Sequence, residues 1–317
     1  MSKTKIVTRN DFANEVSTAS KKNSDQRKVT VKEVNLSYGK SLVLLLLLVV
    51  LSASLSACIT VNVNNSGIIH PKPAQAKVDA SIERVSITAK DGTVLHGYFL
   101  AKPNAVVNVV WFGASKVAVE DSIPFLVQYR DTMHANILAM NFRGYGESGG
   151  NPDWDDLFSD GLQVFETMRM RPEANDAPIV IHGFSLGSFV GVKVASQESQ
   201  TSGLAAFMIQ GSGTNVNEWI DSRTPWYAKP FLRFNVDPKL AKLDSLQVFP
   251  KISVPTLIMS GEQDEQAPYV MSQHLYKVST AQRKQLKLFP NGTHENLEQQ
   301  SDYWETLKLF LVPILKH

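Results

Sequence analysis

The stretch from Pro178 to Gly187 reads PIVIHGFSLG, and it joins a short apolar run to a segment of helical character. An apolar run followed at once by a helix predicts a buried strand that turns sharply, with Ser185 in the turn. Gly183 and Gly187 flank that serine, and residues without a side chain are what so tight a turn requires. A strand–turn–helix unit of this kind belongs to proteins in which strands and helices alternate.

The alternation extends over the rest of the chain from about residue 81. Apolar runs of strand length predict strands at Ile82–Thr88, Val94–Leu100, Val107–Phe112, Ile137–Asn141, Ile179–Gly183, Ala205–Gln210, Thr256–Ser260 and Gln285–Phe289. Longer amphipathic segments predict helices at Ser122–Met133, Trp154–Arg169, Leu186–Ser196, Tyr269–Val278 and Gln299–Leu315. The later strands are continuously apolar, as strands of a buried parallel sheet are. We therefore expect an α/β domain over residues 81–317, with a mostly parallel eight-stranded sheet and helices on both faces.

Two regions depart from that alternation. Lys90-Asp91-Gly92 separates the first two strands by a tight turn, which predicts an antiparallel hairpin. Residues 211–251 contain no regular alternation and are too long for a simple connection. We interpret residues 211–251 as a small cap inserted into the domain.

The N-terminal part of the chain has a different composition. Residues 1–40 are polar and carry nine Lys/Arg and four Asp/Glu, so we expect an extension without a packed core. Residues 41–57 contain no charged side chain and end in Leu55-Ser56-Ala57, directly before Cys58. This arrangement resembles the signal of bacterial lipoproteins, in which the cysteine is lipidated and becomes the first residue of the mature chain.

That interpretation predicts a protein tethered to a membrane, with its body outside the cytoplasm. Forty residues before the apolar run are many for a signal peptide, and a start codon assigned too early would explain them. The alternatives are a membrane-spanning anchor, since 41–61 approaches the length needed to span a bilayer, or a buried helix. Residues 59–80 are polar and rich in Asn, Pro and Ala, and we interpret them as a tether.

Charge and cysteine content exclude some classes of protein. Beyond residue 40 the chain has 23 Lys/Arg and 26 Asp/Glu, so its net charge there is −3 and no basic stripe is present. A nucleic-acid partner is therefore not expected. Cys58 is the only cysteine, so no disulfide can form within the chain.

Ser185 is the candidate nucleophile, because Gly183-Phe184-Ser185-Leu186-Gly187 fits G-x-S-x-G between a strand and a helix. A serine hydroxyl needs a base to take its proton, and a carboxylate that orients the base. Of the seven histidines, only His294 lies in a loop after a late strand and before the last helix. Asp264, in the loop after the preceding strand, is the candidate carboxylate, whereas Glu262 and Glu265 are interpreted as solvated loop charges.

With these residues in order along the chain, the sequence resembles the α/β-hydrolase superfamily over about residues 82–317. The motifs that carry the resemblance are RGYGES at 143–148, GFSLG at 183–187, GEQDEQAP at 261–268 and GTHEN at 292–296. Together they look most like the BEM46-like branch, which is similar to lysophospholipases and protein depalmitoylating thioesterases. The resemblance implies an α/β-hydrolase fold with a small cap, and a serine hydrolase that uses neither metal nor organic cofactor.

The resemblance also implies an oxyanion hole built from backbone N–H groups, which we assign to Leu186 and Ala114. Members of the family usually have His-Gly after the third strand, where this chain has Phe112-Gly113. Because backbone donors do not depend on a particular side chain, the oxyanion hole is expected to survive this difference.

The predicted function is hydrolysis of carboxylic esters or thioesters, of small molecules or lipids, through an acyl-serine intermediate. One alternative is an amide or peptide hydrolase that uses the same three residues. The other is a membrane-tethered binding module that keeps the fold and has no catalytic activity. Aromatic residues of the insertion, among them Trp219 and Trp226, either pack the cap onto the domain or line an apolar acyl pocket.

Overall fold

The computed structural model of this 317-residue protein describes residues 42–46, 58–200 and 203–315. These residues form two compact units. The smaller comprises the described residues up to Thr60 together with Ala228–Arg233, and it includes a helical stretch at 42–46 and a 3-10 turn at Lys229–Phe231. The larger comprises the described residues of Val61–Tyr227 and Phe234–His317.

An eight-stranded sheet forms the centre of the larger unit. Its strands are β2 (Glu83–Thr88), β3 (Val94–Leu100), β4 (Val107–Phe112), β5 (Ala135–Met140), β6 (Ile179–Phe184), β7 (Ala206–Gln210), β9 (Thr256–Gly261) and β10 (Lys284–Phe289). Their spatial order is β10-β9-β7-β6-β4-β5-β3-β2. Only β3 runs against its neighbours β2 and β5, and the other pairs are parallel. The predicted mostly parallel sheet and its N-terminal hairpin are confirmed.

Helices pack on both faces of this sheet. They are α1 (Val119–Met133), α2 (Trp154–Arg169), α3 (Leu186–Glu198), α7 (Tyr269–Val278) and α8 (Tyr303–Leu311). Alternate residues of β4 enter two different apolar clusters. Val110 and Phe112 join the cluster that contains α2 and α3, whereas Val109 and Trp111 join the cluster that contains α1 and α8. Both faces of a parallel sheet are thus buried, which is why its strands read as continuous apolar runs.

Helix α3 ends at Glu198, two residues later than predicted, and the boundaries of two other helices differ more from the prediction. Helix α1 begins at Val119, three residues earlier than expected, because the side-chain oxygen of Asn141 accepts a hydrogen bond from the Val119 N–H at 2.8 Å. That bond from the loop after β5 satisfies an N-terminal amide that the helix itself leaves without a partner. Helix α8 is shorter than predicted at both ends, and a 3-10 turn at Leu297–Gln299 precedes it.

The insertion at residues 211–251 contains short elements. They are α4 (Val216–Arg223), β8 (Leu232–Val236), α5 (Pro238–Ala241) and α6 (Ser245–Val248). Strand β8 pairs with β1 (Ile59–Val63) in a separate two-stranded sheet, which the sequence did not predict. Polar residues alternate along both strands, and this weakened the apolar signal of each.

The predicted tether at residues 59–80 is corrected by the structure. Its first residues form β1, and Ile69 is buried to 3% exposure in the core of the larger unit. A backbone hydrogen bond also holds this segment against the domain, because the Gly146 N–H donates to the Lys72 carbonyl at 2.9 Å. The polar composition was misleading because the segment is held by hydrogen bonds rather than by a periodic apolar face.

The predictions for residues 1–41 and 47–57 lie outside the described residues. Cys58 is exposed and its thiol is free. None of the helices that the structure describes is long and apolar enough to cross a membrane.

Candidate active site

Ser185 occupies a strained turn between β6 and α3. Its backbone angles are φ 52° and ψ −115°, a region that residues with a side chain rarely adopt. The Ser185 N–H donates to the Gln210 carbonyl at 3.0 Å, which ties the turn to the end of β7. The turn sets the serine above the carboxyl ends of the parallel strands.

The two flanking glycines are required by close backbone packing. A Cβ atom on Gly187 would lie 2.0 Å from the Phe112 carbonyl oxygen, and one on Gly183 would lie 2.6 Å from the Gly187 oxygen. No side chain fits at such distances without moving the backbone. The N-terminal turn of α3 therefore packs directly against the end of β4, as the G-x-S-x-G spacing predicts.

Asp264 lies in the loop after β9 and is buried to 5% exposure. Its Oδ1 accepts hydrogen bonds from the backbone N–H groups of Gln266 at 2.8 Å and Ala267 at 2.7 Å. Those two bonds fix the carboxylate and leave Oδ2 free to face the next loop. The neighbouring Glu262 and Glu265 are exposed.

His294 follows β10 and links the other two side chains. Its Nδ1 lies 2.8 Å from Asp264 Oδ2, and its Nε2 lies 2.9 Å from Ser185 Oγ. The imidazole is 8% exposed and packs beside the Phe184 ring at a centroid distance of 5.3 Å. The structure thus brings the three predicted residues together in one hydrogen-bonded chain.

The loops that carry the acid and the histidine hold each other in place. The Gln263 N–H donates to the Gly292 carbonyl at 2.9 Å. A Cβ atom on Gly261 would lie 2.1 Å from that same carbonyl oxygen, so the two loops touch backbone to backbone. This contact sets the distance between the carboxylate and the imidazole before any substrate binds.

Leu186 and Ala114 lie at the same cavity as Ser185. Leu186 is the first residue of α3, so the helix provides no acceptor for its N–H. The Gly187 N–H donates to the Gly113 carbonyl at 2.9 Å, which fixes the loop that carries Ala114 beside the serine. The oxyanion role of these two N–H groups stays a prediction.

Phe112, which replaces the histidine usual in the family, is 2% exposed and packs in the apolar core. It does not line the cavity beside Ser185. The difference therefore affects packing beneath the loop.

A cavity of about 390 Å³ opens at Ser185. Its apolar lining comes from several elements and includes Trp154, Phe189, Val216, Trp219, Leu240 and Leu243. The exposed Trp226, which the sequence also suggested for an acyl pocket, does not line it, and neither does its neighbour Tyr227. Most of the lining is apolar, so the cavity suits an apolar group attached to the carbonyl that Ser185 can reach.

Two polar side chains under the site are structural. His182 is fully buried, and burial lowers its pKa from the ordinary value to about 3, so the ring stays neutral. Its Nδ1 lies 3.1 Å from the Tyr129 hydroxyl, and its ring meets the edge of Trp111. These contacts make His182 a packed residue in the strand before the turn.

Arg143, in the RGYG loop, pairs in the interior with Asp160 at 2.6 Å. Burial raises the pKa of the Asp160 carboxyl, and the guanidinium opposes that shift. The pair anchors the loop after β5 to α2.

Sequence reasoning did not identify the groups that support the three central side chains. Gln266 and Ala267 donate through their backbone N–H groups, so their residue types do not reveal this role. An Asp two residues before the donor is, however, typical of such turns. Ser115 and the segment around Ile68 also line the cavity. The sequence signal for the position of that segment is the apolar pair Ile68-Ile69, which interrupts a polar stretch.

Comparison with known proteins agrees with the fold. A family model described as serine aminopeptidase, S33, matches residues 240–301, which contain Asp264 and His294. The protein bem46 of Schizosaccharomyces pombe is 22% identical over 242 residues, covering 75% of this chain and 79% of that protein. The uncharacterised YfhR of Salmonella typhi is 27% identical over 240 residues, covering 71% and 76%.

Among solved structures, the esterase Pf2001 of Pyrococcus furiosus superimposes with a TM-score of 0.60 at 16% identity, over 78% of this chain and all of that one. At this identity the likeness shows the fold. Sequence relatives, sheet order and the strand–turn–helix unit at Ser185 agree with one another: the chain has the α/β-hydrolase fold, and its sequence is similar to that of bem46 and YfhR over about three quarters of its length.

Proposed function

We propose that this protein is a serine hydrolase that cleaves carboxylic esters or thioesters through an acyl-serine intermediate. The observation that carries the proposal is the hydrogen-bonded chain from Ser185 Oγ through His294 to Asp264, with heavy-atom distances of 2.9 and 2.8 Å. Similarity to a solved esterase supports the ester as substrate class.

In the first half of the reaction, Ser185 Oγ bonds to the substrate carbonyl carbon while His294 Nε2 takes the hydroxyl proton. Asp264 Oδ2 accepts from the Nδ1–H, which fixes the tautomer and stabilises the imidazolium that forms. The N–H groups of Leu186 and Ala114 donate to the oxyanion. His294 then returns the proton to the leaving alkoxide or thiolate, the bond from carbon to the leaving group breaks, and an acyl-serine remains.

In the second half, His294 takes a proton from water and the hydroxide attacks the acyl carbon. The bond to Ser185 breaks and the serine recovers its proton from the imidazolium, so a carboxylic acid is released. Water is the only co-reactant, and the proposal requires no metal or organic cofactor.

The test uses the full-length protein with short and long p-nitrophenyl esters and an acyl thioester. Ser185→Ala is expected to lower kcat/KM by more than about 10⁴-fold, because the nucleophile is lost. Ser222→Ala, which changes an exposed serine in α4, is the matched control and is expected to behave as wild type. A fluorophosphonate probe should label wild type at Ser185. If no ester or thioester is turned over and Ser185 is not labelled, the protein is a binding module.

An amide or peptide substrate is the second candidate, because the family model that matches residues 240–301 is described as a serine aminopeptidase. The same three side chains would serve, with an amine as leaving group. Comparing p-nitrophenyl esters with aminoacyl p-nitroanilides separates the two candidates. A higher kcat/KM for the anilides would replace the ester proposal.

For the N-terminus we propose that Cys58 is lipidated and tethers the protein to a membrane, outside the cytoplasm. The motif Leu55-Ser56-Ala57-Cys58 after an uncharged run supports this, and so does the exposed, unpaired thiol. The intact mass of the protein extracted from membranes provides the test. A mature chain starting at lipidated Cys58 supports the proposal, and a mass that retains residues 41–57 indicates a membrane anchor.

A further inference from the structure

Residues 64–76, called here the N-terminal strap, are fixed to the domain along their whole length. Near its start, Asn65 Oδ1 accepts a hydrogen bond from the Trp154 indole N–H at 3.0 Å. At its end, Asp121 Oδ1 accepts from the N–H groups of Gln75 and Ala76 at 3.1 and 2.8 Å. Ile69, between these points, is buried in the core. A segment bound in this way differs from a free linker.

The middle of the strap is bound to the loop that carries Ala114. Ser115 Oγ donates to the Ile68 carbonyl at 2.9 Å and accepts from the His70 N–H at 3.0 Å. The Tyr145 hydroxyl lies 3.1 Å from that same N–H. Ser115 directly follows Ala114, so the strap is joined to the chain one residue away from the proposed oxyanion donor.

The strap also forms part of the cavity wall. Gly67, Ile68 and His70 line the same cavity as Ser185 and His294. Ile68 is half-buried and packs against the apolar core. It therefore presents an apolar side chain at the cavity from a position outside the sheet and outside the insertion.

We infer that the N-terminal strap is part of the substrate site and that Ile68 is a specificity-determining residue, which limits the apolar group that enters the cavity. The assignment rests on the proposed hydrolase function for its catalytic consequence. Its structural basis is independent of that function, because the strap's contacts and its place in the wall do not depend on the reaction.

The physical reason is that an apolar group gains free energy only for the part that it buries. Each buried methylene adds to this gain, so the position of the wall sets the chain length at which the gain stops. A larger side chain at residue 68 removes room from a cavity of about 390 Å³, and a smaller one adds room. The relative preference for long and short acyl groups should follow the volume of that side chain.

The first experiment compares kcat/KM for p-nitrophenyl acetate and p-nitrophenyl octanoate in wild type, Ile68→Trp and Ile68→Ala. Ile68→Trp is expected to lower the octanoate-to-acetate ratio about tenfold, the discrimination that small differences in pocket volume provide. Ile68→Ala is expected to raise the ratio. Ile59→Trp is the matched control, since Ile59 is exposed on the same N-terminal segment, and its ratio should equal that of wild type.

The second experiment does not need catalysis and separates failure of the inference from failure of the proposed function. A fluorescent dodecanoic acid is titrated into Ser185→Ala, with and without Ile68→Trp. The added tryptophan should raise Kd about tenfold, whereas Ile59→Trp should leave it unchanged.

Folding of every variant is checked by its urea midpoint. If folded Ile68→Trp has the wild-type Kd and the wild-type chain-length ratio, the inference is wrong. If the Kd shifts but wild type hydrolyses no ester, the strap assignment stands and the proposed function fails.

Discussion

The carboxyl edge of the sheet and the wall of the cavity above it are built in different ways. At the edge, backbone touches backbone, as where Gly187 meets Phe112 and Gly261 meets Gly292, and the side chains of Asp264 and His294 are buried and hydrogen-bonded to each other. The wall also includes residues of the strap and of the insertion, which consist of short elements and loops. This difference suggests that the edge fixes the chemistry and that the wall determines which substrate enters.

The largest expected effect concerns the edge. Asp264→Asn should lower kcat/KM by about 10⁴-fold, because the amide would donate to His294 Nδ1 and hold the imidazole in the wrong tautomer. The carbonyl of the new amide can still accept from Gln266 and Ala267, so the urea midpoint should change little. Ester hydrolysis measured beside Glu262→Gln, an exposed change in the same loop, checks this. A fall of less than tenfold would contradict the assigned role.

The next effect is on stability beneath the edge. Arg143→Met should cost about 3 kcal/mol, because it leaves the Asp160 carboxylate buried at 8% side-chain exposure without its cation. Arg84→Met removes the exposed ion pair with Glu147 and should change the free energy of unfolding by less than about 1 kcal/mol. Urea denaturation of both variants makes the comparison. Equal costs would show that burial does not distinguish the two pairs.

A smaller effect depends on pH. Unfolded His182 takes up a proton as pH falls below about 6.5, whereas burial keeps the folded ring neutral down to a pKa of about 3. Protonation therefore favours the unfolded state, and stability is lost as pH falls through this window. Between pH 7 and pH 5 this loss is about 2 kcal/mol. His182→Phe should show a correspondingly smaller drop in unfolding free energy. If both proteins lose stability equally, the histidine is not responsible.

The smallest effect is expected at the insertion. Trp226 is 82% exposed, so Trp226→Ala should change the free energy of unfolding by less than about 0.5 kcal/mol. Hydrolysis of p-nitrophenyl acetate should also stay at the wild-type rate, because the side chain does not line the cavity. A large loss of stability in a urea titration would mean that the insertion is as tightly packed as the sheet edge.

Parts of the site could be predicted because local chemistry specifies them. The turn at Ser185 requires Gly183 and Gly187 beside it, so the five residues 183–187 are enough to predict the turn. Strand boundaries such as Val94–Leu100 and Val107–Phe112 follow from short runs in which apolar residues predominate. The placement of His294 after a late strand follows from the alternation of elements.

Other parts could not be predicted because they depend on contacts between distant residues. The start of α1 at Val119 requires a side-chain bond from Asn141. The docking of residues 59–80 requires partners such as Tyr145 and Trp154, which lie far along the chain. A polar segment carries no periodic signal of such bonds, so it was interpreted as a tether.

The amino-acid sequence by itself determined the order of the strands and helices along the chain, and the serine turn, because these depend on residue type over a few neighbouring positions. Only the tertiary structure decided how far apart the reactive atoms lie and which segments enclose them. Those distances come from backbone contacts between loops that are remote in sequence, such as Gly261 with Gly292 and Ser115 with Ile68. The local sequence around one residue of such a pair does not specify which residue it will contact.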